Sequence, residues 1–182
     1  MGSIPTFPKD GLAKMNCIGC GADVPDESGP VHRYLAAAPG CWRIYGEVLA
    51  REYAEPAYAR AHRLGVDAYA VQHPGTESPQ TIRSAGVHLA RLCLILERDL
   101  SLTDANAAMA HFAARSKRAL HWLDPPEHKG SMTVVDVWRA TDPRLHGEAV
   151  WEWARSAWAA WSGHHDQIRS WVDRFGRRDG YQ

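Results

Sequence analysis

The residues with the clearest chemical potential lie near the N-terminus, where Cys17 and Cys20 are separated by two residues. Two thiolates at this spacing can bind one metal ion, because Gly19 and Gly21 permit the tight turn between them. His32 and Cys41 follow, which completes the pattern Cys-x2-Cys-x11-His-x8-Cys. This pattern fits a structural zinc ion with four protein ligands. The sequence therefore predicts bound zinc, with four ligands: Cys17, Cys20, His32 and Cys41.

One CxxC pair is only moderately specific, and other interpretations stay open. The later ligands can be replaced by His73 or His88, which also lie within the chain's polar stretches. Alternatively, Cys17 and Cys20 are free surface thiols, and Cys41 is an unrelated core residue. Cys93 lies between two leucines and is predicted to be a core residue in either case.

A second group of polar residues interrupts apolar helical patterns further along the chain. A carboxylate and two imidazoles that project inward from different helices can build a metal site in a bundle. Asp67 and His73 do not share a helix face, because six residues turn a helix by about 600°. A hydrogen-bonded polar network that only fixes helix packing is the competing interpretation. The candidate catalytic residues of this group are Glu47, Asp67, His73 and His88.

The apolar spacing from Cys41 onwards predicts helices and no sheet of three or more strands. Ser78 and Pro79 should begin the strongest helix, and Thr133 with Asp136 resembles a capping box. Gly65 should end a helix, and Pro143 should break the chain. We therefore predict an all-α bundle of five to seven helices. Its organisation is a flexible lead (1–14), a Cys/His loop segment (15–40), the bundle (41–176) and a flexible tail (177–182).

Length and charge narrow the classes of function. The 182 residues suit one domain, and 21 basic residues balance 21 acidic ones. This balance gives no electrostatic signature of binding to nucleic acid or to an anionic membrane. No apolar run has the length of a membrane span or a signal peptide, so we expect a cytoplasmic protein. Eight tryptophans suggest a dense core or an aromatic pocket for a small molecule, and spare aromatic surface would suit a homo-oligomer.

Four stretches carry a resemblance to a known family. They are Cys17-x-x-Cys20-Gly21, Gly29-Pro30-x-His32-x-Tyr34, Pro39-Gly40-Cys41-Trp42-x-x-Tyr45-Gly46-Glu47, and Val66-Asp67-Ala68-Tyr69-Ala70-x-Gln72-His73-Pro74-Gly75. With them, the chain resembles a bacterial family, of an actinobacterial type, that is described as a domain of unknown function. The resemblance implies a stand-alone bacterial protein and implies no activity. It also implies that Glu47, Asp67, Gln72 and His73 belong to the family's pattern.

Two functions fit these observations. The first is a zinc-dependent enzyme that acts on a small molecule, with a metal-bound hydroxide or a polarised carbonyl. The second is a binding or scaffold protein whose zinc is purely structural and attaches the N-terminal loop to the bundle. The coordination of the metal separates them, because four protein ligands leave no position for a water molecule.

Overall fold

The computed structural model describes residues 13–116 and 118–176. Within them a two-stranded antiparallel hairpin precedes seven α-helices, and more than half of this part of the chain is helical. The elements are β1 (Lys14–Asn16), β2 (Asp23–Pro25), α1 (Pro39–Ala54), α2 (His62–Gln72), α3 (Pro79–Leu96), α4 (Leu102–Arg115), α5 (Val134–Arg139), α6 (Pro143–Ala160) and α7 (His165–Phe175). Short 3-10 turns precede α2 and α7. The predicted all-α bundle of five to seven helices is confirmed.

Several helices begin where the sequence has a residue that satisfies free backbone amides. The Ser78 hydroxyl accepts a hydrogen bond from the Thr81 amide, directly before Pro79 at the start of α3. Thr133 and Asp136 form the predicted capping box of α5. Pro143 was expected only to break the chain, but it occupies the first turn of α6 behind a capping Asp142. Proline fits there because its missing N–H would have no helical partner.

The predicted end of a helix at Gly65 is wrong. Gly65 lies inside α2, where a methyl group would make only ordinary contacts with Val150 and Trp153 of α6. The helix continues because the residues after Gly65 supply a buried face, including Ala68 and Tyr69. Tertiary burial there outweighs the low helix propensity of one glycine, which is worth about 1 kcal/mol.

Helix α2 is the centre of the bundle and packs against both α3 and α6. The tryptophans form much of the core, since Trp153 and Trp161 are almost completely buried. Their indole N–H groups donate to Gln72 Oε1 at 2.7 Å and to the Val71 carbonyl at 3.1 Å, so α6 and its C-terminal end are tied to the last turn of α2. This end of α2 is therefore held firmly.

The N-terminal segment docks onto the same end of α2. The Ala36 amide donates to the His73 carbonyl, and Leu35 forms an isolated β-bridge with Pro74. The hairpin and the loop after it thus reach the bundle at the junction of α1 and α2. The predicted lead lies outside the described residues up to position 12, while Lys14 begins β1; the predicted tail lies wholly outside them. In the described ranges, no helix combines the length and apolarity needed to span a bilayer.

Candidate metal centre

Three cysteine side chains and one histidine ring meet where the hairpin docks. The Sγ atoms of Cys17, Cys20 and Cys41 and a ring nitrogen of His73 all lie within 4.8 Å of one another. The Cys20 and Cys41 sulfurs are 3.9 Å apart, and Cys41 Sγ is 3.4 Å from His73 Nε2. All four residues are buried. We call this group the Cys3His cluster.

The hairpin positions the first two ligands. Cys17 directly follows β1, and its carbonyl accepts a hydrogen bond from the Gly21 amide at 2.9 Å. Gly21 has φ of +75°, a left-handed conformation that glycine adopts without steric cost. The turn therefore returns the chain to β2 while both thiols point to the same side. Cys41 comes from the first turn of α1, and His73 directly follows α2.

Gly19 is required by the close approach of the turn to the bundle. A Cβ atom at this position would lie 2.2 Å from the Ala36 carbonyl oxygen and 2.4 Å from His73 Cδ2. Any side chain would push the turn away from His73 and separate the ligands. The glycine between the first two cysteines thus serves the contact with His73 as well as the turn itself.

Neighbouring groups orient the ligand atoms. His73 Nδ1 is 2.7 Å from the Tyr69 carbonyl, an acceptor only, so Nδ1 carries a proton and Nε2 faces the thiols. The Tyr69 ring stacks on the His73 ring at 4.0 Å, and its hydroxyl donates to Cys41 Sγ at 3.6 Å. The Ala38 amide donates to Cys17 Sγ at 3.4 Å. These contacts hold the imidazole and two of the thiols in place.

The electrostatics of the cluster favour one negative charge and oppose several. Hydrogen bonding from Cys20 and then Cys41 holds the pKa of Cys17 far below its ordinary value. The hydrogen bonds of Cys41 with Cys17 and Cys20 raise the pKa of Cys41. Burial alone would lower the pKa of His73, but hydrogen bonds to the Cys17 and Cys20 thiols raise it to about 9. Three thiolates can coexist here only with a cation among them.

The donor set and spacing fit a zinc ion. Sulfur ligands lie about 2.3 Å and nitrogen ligands about 2.0 Å from zinc, so tetrahedral neighbours are about 3.5 to 3.8 Å apart. The observed separations of 3.4 Å and 3.9 Å bracket this range. Three thiols and one imidazole are also a typical structural zinc donor set. The cluster can therefore hold one metal ion.

His32, which the sequence spacing placed among the ligands, lies outside the cluster. Its side chain is exposed, with its ring 5.6 Å from that of Trp42 and its Nδ1 accepting from the Tyr34 amide. His73, one of the alternative ligands offered by the sequence, is the histidine that lies in the cluster instead. The loop from residue 29 to 36 carries His32 past the cluster, and only the docking of that loop on α2 brings His73 in. No spacing rule within the N-terminal segment contains this information.

The structure does not bring the four candidate catalytic residues together. Glu47 is exposed and binds Arg43 and the Trp138 indole N–H. Asp67 is fully buried and binds His88 Nδ1 at 2.7 Å, with Arg91 Nε 3.5 Å from its second oxygen. His73 belongs to the Cys3His cluster. The shared bundle site of Glu47, Asp67, His73 and His88 thus separates into three groups, and His88 is not among the ligands of the cluster.

Sequence reasoning missed a buried carboxylate with two imidazoles. Glu52 is 3% exposed, and its two oxygens lie 2.7 Å from His62 Nδ1 and 2.9 Å from His146 Nε2. His146 is completely buried against Tyr58. A helical wheel of α6 places it beside Val150 and Trp153, which is the signal that the sequence offered. We call this group the Glu52 network.

Gln72, a member of the predicted family pattern, has a structural role. Its amide nitrogen donates to the carbonyls of Lys129 and Met132 at 2.7 and 2.8 Å, while its oxygen accepts from the Trp153 indole. One buried side chain thus joins α2, α6 and the loop before α5, and three of its four hydrogen-bonding positions are used.

Comparison of the sequence with models of protein families identifies the family of this chain. The model of a family of unknown function, DUF5946, matches residues 15–162. The chain belongs to this family. The DUF5946 match begins just before Cys17 and contains all four residues of the Cys3His cluster, together with the Glu52 network. No curated protein and no solved structure matches the chain. The cluster itself must therefore carry any functional argument for this DUF5946 member.

Proposed function

We propose that this protein is a zinc-binding helical scaffold or binding protein, in which one structural zinc joins the N-terminal hairpin to α1 and α2. The observation that carries the proposal is the closed, buried Cys3His cluster. A catalytic zinc keeps one coordination position for water or substrate, whereas four protein ligands fill a structural site. The enzyme interpretation would need such an open position.

The composition of the N-terminal segment supports the need for a metal. Between residues 13 and 38 the buried apolar side chains other than cysteine are small: Ala22, Val24, Ala37 and Ala38. Burial of a methyl-sized group stabilises by only about 0.8 kcal/mol, while ordering each residue costs about 1 to 2 kcal/mol of backbone entropy. A bound ion supplies the missing free energy, because metal binding to ligands that assemble on folding stabilises the folded state.

The test compares the metal content of the purified wild-type protein with that of variants in which one ligand residue is replaced. We expect about one zinc per chain in the wild type, by elemental analysis, and its loss in Cys17→Ala and His73→Ala. Cys93→Ala and His32→Ala are matched controls, because Cys93 is buried away from the cluster and His32 is exposed. Both should retain the metal. Zinc that persists in Cys17→Ala, or metal lost with His32→Ala, would refute the ligand assignment.

The coordination shell decides between a scaffold and an enzyme. X-ray absorption at the zinc edge should show three sulfur and one nitrogen neighbours and no oxygen. A metal-bound oxygen would instead favour the metal-dependent enzyme.

A cytoplasmic location suits the proposed structural zinc site. Four cysteines without a disulfide are expected where thiols stay reduced.

A groove between the segment at residues 57–61 and α6 supports the additional proposal of a small-molecule ligand. Its volume is about 730 Å³, and Tyr58 and Trp151 contribute to its walls. Three arginines, Arg60, Arg144 and Arg155, line it as well. The groove lies apart from the cluster residues, so a ligand bound there would not contact the metal. Oligomer formation is best tested separately, by light scattering.

A further inference from the structure

The three cysteine residues of the Cys3His cluster are not equally exposed to solvent. Cys41 is completely buried and Cys17 is 3% exposed, whereas Cys20 is 8% exposed. Cys20 ends the outer turn of the hairpin, next to Gly21, which is exposed and has no side chain to cover it. A reagent from solvent therefore reaches Cys20 before the other two cysteines.

Hydrogen bonds increase this difference. The Ala38 amide donates to the Cys17 sulfur, and the Tyr69 hydroxyl donates to the Cys41 sulfur. Within residues 13–116 and 118–176, no backbone amide or hydroxyl donates to Cys20 Sγ. A thiolate sulfur that accepts a hydrogen bond has less electron density available for attack. Accessibility and intrinsic nucleophilicity thus favour the same atom.

We propose that Cys20 is a modification site, whose thiolate is oxidised by a peroxide or a small disulfide, with release of the metal. The inference rests on the proposed zinc site. It names the chemical class of the reagent, a two-electron oxidant of thiolates, and the position at which that reagent reacts.

The chemistry balances within the cluster. The Cys20 thiolate attacks one oxygen of hydrogen peroxide, the O–O bond breaks, and hydroxide leaves, so that Cys20 becomes a sulfenic acid. The Cys41 sulfur, 3.9 Å away, then attacks the Cys20 sulfur and expels a second hydroxide. Two thiolates lose two electrons to form a disulfide, and peroxide is reduced to two hydroxides. Cys17 and His73 remain as the only ligands and cannot retain the ion.

This reaction changes which elements are joined. Zinc links the hairpin, α1 and α2 together, whereas a Cys20–Cys41 disulfide links only the hairpin and α1. His73 and the end of α2 lose their connection through the metal to the N-terminal segment. Oxidation would therefore loosen the contact between residues 34–36 and residues 73–75, where Gly75 lies against the Tyr34 carbonyl.

The first experiment maps the first reaction on protein whose zinc content has been measured beforehand. Limiting N-ethylmaleimide, followed by peptide mass spectrometry, should label Cys20 about tenfold more than Cys17 or Cys41. Equal labelling, or a preference for Cys17 or Cys41, would overturn the inference while leaving the zinc site intact. Protein that never contains zinc would instead refute the proposed function. Peroxide should release zinc in parallel with a Cys20–Cys41 disulfide; a Cys17–Cys20 disulfide would overturn the pairing.

A second experiment separates direct attack from unfolding, without altering any ligand. Ile18 lies between the two hairpin cysteines and is 73% exposed, so a charge placed there should not disturb the core. With an anionic aromatic disulfide at low salt, Ile18→Lys should accelerate zinc release about threefold, and Ile18→Glu should slow it equally. Cys93→Ala should leave the rate unchanged. Equal rates of zinc release in Ile18→Lys and Ile18→Glu would show that zinc leaves through global unfolding. That result would overturn direct attack at the cluster.

Discussion

The Glu52 network and the Cys3His cluster both contain buried polar side chains, and they differ in how their hydrogen-bonding groups are satisfied. In the Glu52 network, both carboxylate oxygens bind imidazole nitrogens at 2.7 and 2.9 Å, which are full hydrogen bonds. In the Cys3His cluster, the Cys20 and Cys41 sulfurs are 3.9 Å apart, and Cys41 Sγ lies 3.4 Å from His73 Nε2. Thiols are weak donors and acceptors, so these contacts compensate little of the cost of burial.

The difference shows why burial of titratable groups does not by itself indicate a metal. Glu52 needs only two N–H donors, and His62 and His146 provide them within the chain. Three thiols that face one another have no such donors in sufficient number, and their ionisation requires positive charge. Both oxygens of the Glu52 carboxylate are therefore satisfied by the chain itself, whereas ionisation of the three thiols in the Cys3His cluster would need a cation.

Of the changes that test this difference between the two clusters, removal of the metal should lower the free energy of unfolding the most. Excess chelator should lower the free energy of unfolding by about 4 kcal/mol if free zinc had exceeded its dissociation constant a thousandfold. Chemical denaturation with and without chelator measures the loss. The same chelator should not change the stability of Cys17→Ala. An unchanged wild type would show that the cluster, like the Glu52 network, is stable without an ion.

Removal of the carboxylate from the Glu52 network should follow in magnitude. Glu52→Ala leaves the buried His146 imidazole and the partly exposed His62 imidazole without their acceptor, which we expect to cost about 3 kcal/mol. The zinc content should stay at the wild-type value, because no residue of the network is a ligand. The matched control is Glu55→Ala, an exposed glutamate one turn later, which should change stability little. Loss of zinc in Glu52→Ala would show that the two clusters are coupled.

Substitution of Gln72 measures how much a neutral buried side chain contributes to stability, for comparison with the ionisable side chains of the two clusters. Gln72→Leu keeps the side-chain size but orphans the Trp153 indole N–H and two carbonyls, at a cost of about 2 kcal/mol. Thermal melting of the zinc-bound protein measures the change. Gln80→Leu, at an exposed position near the start of α3, is the control and should be nearly neutral. A neutral Gln72→Leu would indicate that water replaces the lost bonds.

The smallest change in stability is expected at Gly46, a glycine that belongs to neither cluster. Gly46 lies within α1, and a methyl group there would meet no atom within 4 Å. Gly46→Ala should therefore stabilise the protein by about 0.5 to 1 kcal/mol and leave zinc bound. Gly21→Ala is the contrasting variant, since its φ of +75° strains any side chain. A destabilised Gly46→Ala would reveal that the open space above α1 is used by a contact that the monomer lacks.

The sequence predicted most helices because their signals are local. The caps at Ser78 and Thr133 act within three or four residues, and apolar spacing marks the buried face of each helix. Pairs of cysteines two residues apart are equally local, and Cys17 and Cys20 do lie in one cluster. The Glu52 network and the place of His73 depend instead on how α1, α2 and α6 pack, which no short pattern records. His32 satisfied the spacing of a zinc ligand, yet the path of the loop carries it elsewhere.

The separations along the chain between the four ligands have a consequence for the order of folding. Cys17 and Cys20 are neighbours in the chain, while Cys41 lies 21 residues beyond Cys20 and His73 a further 32 residues beyond Cys41. The entropy of closing a loop rises slowly with its length, so the hairpin pair should capture an ion first. Cys41 and His73 then bind an ion that Cys17 and Cys20 already hold. The bound ion therefore limits the conformations that α1 and α2 must sample before they pack. We expect refolding to be faster when zinc is present from the start than when it is added after the helices have formed.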